Sequence, residues 1–137
     1  MVRWPDVTEV VAQAAAVDAV LEGIYGEAIR HMGAAKFRVP SLEYMLVSEV
    51  YTGDIWSPSV IQWDQRVLTM EALIASERAL MRLFDLGDQD VTLIGGLPMW
   101  AQYAEGEGLL GPDRPGYFAR AVRFRFTPVR QRYAPTL

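Results

Sequence analysis

The stretch that decides the fold is Tyr117-Phe118-Ala119-Arg120-Ala121-Val122-Arg123-Phe124-Arg125-Phe126-Thr127. Successive side chains of an extended chain point to opposite faces, so Phe118, Arg120, Val122, Phe124 and Phe126 share one side. Tyr117, Ala119, Ala121, Arg123 and Arg125 share the other. This is a strand with an aromatic face and an arginine face. Just before it, residues 105–116 hold Gly106, Gly108, Gly111, Pro112, Pro115 and Gly116, a composition that predicts a long exposed loop. Thr127-Pro128 ends regular pairing, and residues 128–137 read as a basic, proline-containing tail that needs a partner for order.

Working toward the N-terminus, residues 91–105 read as one irregular strand, with Gly95, Gly96 and Pro98 marking a bulge, bend or edge. Residues 70–84 have helical spacing, with Leu73, Ser76, Leu80, Leu83 and Phe84 inward and Gly87 placed to end the helix. Residues 42–51 and 60–69 alternate with period two around turn-forming Thr52-Gly53-Asp54 and Trp56-Ser57-Pro58-Ser59, which predicts a hairpin. Residues 6–32 read as one amphipathic helix through Val7, Val10, Val11, Ala14, Val17, Leu21, Ile24 and Ala28, closed by Gly33. The expected fold is therefore α+β: two helices on one face of a four-stranded, mainly antiparallel sheet, in the order α-β-β-α-β-β. Residues 1–127 form a single domain in this reading, and 128–137 a basic extension.

The 137 residues suit one core, and 51% hydrophobic with 22% charged residues excludes disorder of the whole chain. No apolar run is long enough to span a bilayer, and Asp6 and Glu9 around the first apolar stretch argue against a signal peptide. The absence of cysteine removes disulfides and thiolate metal sites and suits a reducing cytoplasm. Charge is unevenly distributed. Residues 1–113 hold all 17 acids, whereas Arg114, Arg120, Arg123, Arg125, Arg130 and Arg132 follow with no acid among them. Of 13 basic residues only Lys36 is lysine, and the planar guanidinium favours fixed interfaces over a mobile solvated charge.

Catalytic and cofactor motifs do not assemble. Gly106-Glu107-Gly108-Leu109-Leu110-Gly111 has the spacing of a dinucleotide loop, but Pro112 and Pro115 stand where a helix should begin. His31 is the only histidine, which leaves it a bland role at a helix end. Asp85, Asp88 and Asp90 lack the glycine and terminal glutamate of a calcium loop and read as a solvated turn. No catalytic residue, cofactor or metal is expected. Trp56, Trp63 and Trp100 suit a core, an oligomer surface or an apolar pocket, and Arg123 with Arg125 suits a solvated face or a subunit contact.

Four segments carry a likeness to a known family: Pro40-Ser41-Leu42-Glu43-Tyr44-Met45-Leu46-Val47, Val91-Thr92-Leu93-Ile94-Gly95-Gly96, Gly111-Pro112-Asp113 and Val122-Arg123-Phe124-Arg125-Phe126. In their order of elements, over about residues 7–127, they resemble the tail terminator (tail completion) proteins of long-tailed bacteriophages. The resemblance implies a non-enzymatic virion protein: a homo-oligomeric, hexameric ring at the head-proximal end of the tail, assembled in the host cytoplasm. Its implied partners are the tail tube protein and a head-tail connector protein, with DNA passing through the channel without sequence-specific binding and no membrane contact. On this reading the loops around Asp54, Trp56, Asp113 and Arg114, with Arg123, Arg125, Arg130 and Arg132, are assembly contacts. The alternatives are another connector ring, a stopper or adaptor, or a cytoplasmic domain binding a small ligand.

Overall fold

The computed structural model describes residues 7–33, 36–49, 59–106 and 116–129, with 48–49 and 88–90 described by backbone alone. In chain order they form helices α1 (Val7–Ala16) and α2 (Ala19–Tyr25), strands β1 (Ile29–His31), β2 (Ser41–Glu49) and β3 (Ser59–Val67), helix α3 (Met70–Phe84), and strands β4 (Gly87–Ile94), β5 (Leu97–Gly106) and β6 (Phe118–Pro128). The strands make one mixed sheet in the order β1-β2-β3-β6-β5-β4. β1 pairs with β2 in parallel, and every other pairing is antiparallel.

This corrects the expected two helices and four strands. The N-terminal segment is not one helix, because Asp18 adopts an extended backbone and its carboxylate accepts a hydrogen bond from the Leu21 amide at 3.1 Å. An aspartate that caps a new helix ends the old one, although the apolar spacing runs on. Gly26, at φ 59°, stops α2 in a left-handed conformation that a Cβ would resist. The chain is then free to lay Ile29, Arg30 and His31 beside Leu42, Glu43 and Tyr44. His31 thus lies in a strand and not at a helix end.

The second correction lies at Gly95-Gly96. Ile94 faces Leu97, and both glycines have positive φ (58° and 82°), so they form a two-residue hairpin loop and not a bulge within one strand. α1 packs onto this loop: a Cβ on Gly95 would lie 2.7 Å from Val10 Cγ1, whereas one on Gly96 would meet nothing within 4 Å. Gly95→Ala is therefore expected to cost more than Gly96→Ala. The left-handed backbone alone accounts for about 1–2 kcal/mol in each, and only Gly95→Ala must also push aside the Val10 side chain of α1. Urea denaturation of the two variants measures the difference.

Elements with strong periodicity fold as their pattern predicts. β3 buries Ser59, Ile61, Trp63, Gln65 and Val67 and leaves the intervening residues half-buried. β6 buries Val122, Phe124 and Phe126 on the same side and runs to Pro128, after which the Val129 amide donates to Pro98 O at 2.9 Å. α3 starts at Thr69, whose hydroxyl accepts from the Ala72 amide at 3.1 Å, and buries Leu73, Ser76, Ala79, Leu80 and Phe84. All three helices join β3 and β6 in one apolar cluster, so they cover the same face of the sheet. Its centre is Phe84, stacked on Trp63 at 5.6 Å and edge-on to Phe126 at 5.1 Å and Phe124 at 5.8 Å.

A polar chain runs beneath α3. Ser76 Oγ donates to Gln65 Oε1 at 2.7 Å, which leaves Tyr25 to donate its phenol proton to Ser76 at 2.6 Å. Burial pushes the Tyr25 phenol well above its usual pKa, against the opposing effect of the Ser76 bond. Gln65 in turn reaches Glu77 at 3.4 Å, and Arg120 donates to the same Glu77 oxygen. That is how an arginine on the aromatic face of β6 is accommodated. Among the described residues no helix is long and apolar enough to cross a membrane.

Candidate functional site

The other face of the sheet is the candidate site, because among the described residues no helix lies over it. Strand alternation and register decide what it displays. β3 presents Val60, Gln62, Asp64 and Arg66, placed beside Glu43 and Met45 of β2 and beside Ala119, Ala121, Arg123 and Arg125 of β6. β5 adds Trp100, Gln102 and Glu105 next to Thr127, Arg125 and Arg123.

These side chains join in one ladder across five strands. Arg30 Nε donates to Glu43 Oε2 at 3.0 Å, and Arg66 Nη1 to Glu43 Oε1 at 2.7 Å. Arg66 pairs more loosely with Asp64 at 3.7 Å. Gln62 Nε2 donates to Asp64 Oδ1 at 2.8 Å while its carbonyl accepts from Arg123 Nε, also at 2.8 Å. Arg123 Nη1 completes the ladder on Glu105 at 2.5 Å. Gln62 bridges two charged groups because its amide is both donor and acceptor. Glu43 is the most deeply set member: burial raises its carboxyl pKa, but the bonds and charges of Arg66 and Arg30 outweigh this and hold it below the ordinary value. Phe37 lies over the Arg66 guanidinium at 5.5 Å and meets the Tyr117 ring at 5.7 Å, covering one end of the ladder.

Toward the other end the face changes character. Arg125 is exposed and forms no hydrogen bond or ion pair with a described residue. With Trp100, Gln102 and Thr127 it lines a shallow depression of about 210 Å³. Glu105, Gly106, Ala121 and Arg123 line another of about 110 Å³. Leu93 and Pro98, paired across β4 and β5, extend this end as an apolar corner, with Leu93 70% exposed.

Of the residues expected at an assembly contact, the structure brings Arg123 and Arg125 onto this face, and only Arg123 is paired with a described residue. Asp54, Trp56, Asp113, Arg114, Arg130 and Arg132 lie outside the described residues. Trp63 belongs to the core and Trp100 to the open face. Glu43, Gln62, Arg66 and Glu105 were not expected as a unit, since only cross-strand register brings them together. The Asp85 carboxylate accepts from the Tyr103 amide at 3.0 Å, and among the described residues no three potential metal ligands converge. His31 packs edge-on against Tyr44 at 5.5 Å.

The sequence matches no protein-family model and no curated protein. Among solved structures, the chain is similar to a chain of the virion of a native gene transfer agent (GTA) particle, with a TM-score of 0.60 and 12% sequence identity. The match covers 90% of this chain and 94% of the other. At that identity the likeness is one of fold.

Proposed function

We propose that this chain is a structural protein of a phage-like virion and, within it, a tail terminator: a ring at the head-proximal end of the tail tube that stops tube growth and joins the connector. The observation that carries this is the fold shared with a GTA virion chain over nearly the full length of both. The open face supports it. A cap must fit the tube on one side and deny the next tube ring a docking site on the other, which calls for specific polar contacts on a rigid support. A five-strand ladder with an exposed arginine beside it supplies such contacts without requiring a substrate.

The two depressions formed by described residues on this face, about 110 and 210 Å³, are each smaller than the roughly 300 Å³ at which small-molecule sites begin. The test is the chain's position in a particle, with six copies at one level between tail tube and head as the expected result. Alanine at Arg123, Arg125, Arg130 and Arg132 is expected to yield tubes of uncontrolled length. Normal capped tails from that variant would reject the role of these arginines. Placement at the connector itself would make the protein a stopper or adaptor.

A further inference from the structure

We propose that residues 7–31, which hold α1, α2 and β1, open away from the sheet as one unit when acid protonates Asp18 and Glu43, while α3 and the other five strands stay folded. The topology permits it. β1 lies at the border of the sheet and pairs, in parallel, with β2 alone, so taking it away leaves β2-β3-β6-β5-β4 as an unbroken antiparallel sheet. The segment precedes every other described element, and no other strand has to unthread for it to leave. Packing points the same way. The segment contributes one fully buried ring, Tyr25, whereas Trp63, Phe84, Phe124 and Phe126 pack on one another from β3, α3 and β6. Its other buried side chains are aliphatic: Val11, Leu21, Ala12, Ala15 and Ala28. Apolar stabilisation scales with buried area, so this segment is the less firmly held part of the core.

Two ion pairs fasten the segment to the rest. Between α1 and α2, Asp18 accepts from Arg82 of α3 at 2.6 Å, and in β1 Arg30 donates to Glu43 of β2 at 3.0 Å. Tyr25 adds a hydrogen bond to Ser76, which acid leaves intact. The charged groups facing the two carboxylates are Arg82 for Asp18, and Arg30 with Arg66 for Glu43, Asp64 lying beside Arg66. Glu9, Glu22, Glu27 and His31 are exposed and form no ion pair with a described residue. Burial raises the carboxyl pKa of Asp18 and of Glu43, but the hydrogen bonds and arginines outweigh it and hold both below their ordinary 3.8 and 4.5. Opening takes Arg82 from Asp18 and Arg30 from Glu43 and moves both back toward those values. Protons therefore bind the open form more readily and favour it as pH falls.

Amide hydrogen exchange followed by NMR tests this. The Leu42 amide lies in β2 but donates to Ala28 O of the segment, while the Gly26 and Met32 amides donate to Glu22 O and Tyr44 O. Between about pH 6 and about pH 3, protection of these three amides, corrected for the intrinsic rate, is expected to fall together by about tenfold or more and to stay below that of the β3 and β6 amides. In the double variant Asp18→Asn with Glu43→Gln, asparagine still caps α2, and the three amides are expected to be weakly protected already at about pH 6 and to lose the acid response. Protection of the three equal to that of β3 and β6 at both pH values, unequal falls among the three, or an acid response kept by the double variant would each overturn the proposal.

Discussion

Phe84→Ala is expected to destabilise the protein by about 3–5 kcal/mol, the largest effect of any single truncation considered. Phe84 is fully buried and meets three other buried rings: Trp63 from β3, and Phe124 and Phe126 from β6. It is the point at which α3 grips the two central strands. Removing the ring takes away its transfer free energy and leaves a cavity whose walls are strands that cannot close in without breaking register. Set against the 5–15 kcal/mol typical of a domain, the loss is a large part of the total. Urea unfolding followed by tryptophan fluorescence measures it, with Leu93→Ala as the control. That residue is 70% exposed and is expected to change stability by no more than about 0.5 kcal/mol.

The second large effect concerns Glu43. Its two carboxylate oxygens each hold one arginine, and its side chain is 8% exposed while those of Arg30 and Arg66 are 17% and 21% exposed. Glu43→Gln removes the charge and leaves two half-desolvated guanidiniums facing a neutral amide. Breaking a fully buried pair costs about 3–5 kcal/mol, and the partial exposure of the arginines reduces the expectation here to about 2–3. The pH dependence follows with a definite sign. Because the folded carboxyl titrates below its ordinary 4.5, the unfolded chain takes up the proton first as pH falls. The contribution of Glu43 is complete above that value and is lost as pH falls through the folded pKa. Asp18 acts alike from its ordinary 3.8: burial raises its pKa, but the Arg82 bond at 2.6 Å and the Leu21 amide outweigh this. Wild-type stability is thus expected to decline in acid below about pH 4.5, and Glu43→Gln to decline less steeply. Equal slopes for the two proteins would show that Glu43 titrates normally.

How much of this was legible in the sequence follows from which interactions are local. β3, α3 and β6 carry long patterns of one period, and their buried faces are those the pattern predicts. Gln65 and Ser76 sit on those faces although polar, because they bond to each other. The failures have different causes. Asp18 sits where a continuous amphipathic helix would also place a polar residue, so only its capping bond to Leu21 reveals the break. β1 is three residues long, too short for a period, and its parallel partner lies beyond a connecting segment. Gly95-Gly96 was visible, but whether two glycines bend one strand or join two depends on the pairing of Ile94 with Leu97, which one-strand alternation does not display. The site was half legible: alternation placed Arg123 and Arg125 on the face away from the aromatics. Their difference was not, since Gln62 and Glu105 approach Arg123 only through the register of three strands.

The outer strands of the sheet have a consequence for the fate of the protein at high concentration. β1 offers three residues, and β4 loses register with β5 between Gly87 and Thr92, a stretch whose sequence includes Asp88 and Asp90. Neither border is a long, flat row of free amides and carbonyls onto which a foreign strand could zip. Runaway fibril growth by strand addition is thereby discouraged at both margins, so crowding of the folded chain does not by itself seed a cross-strand polymer.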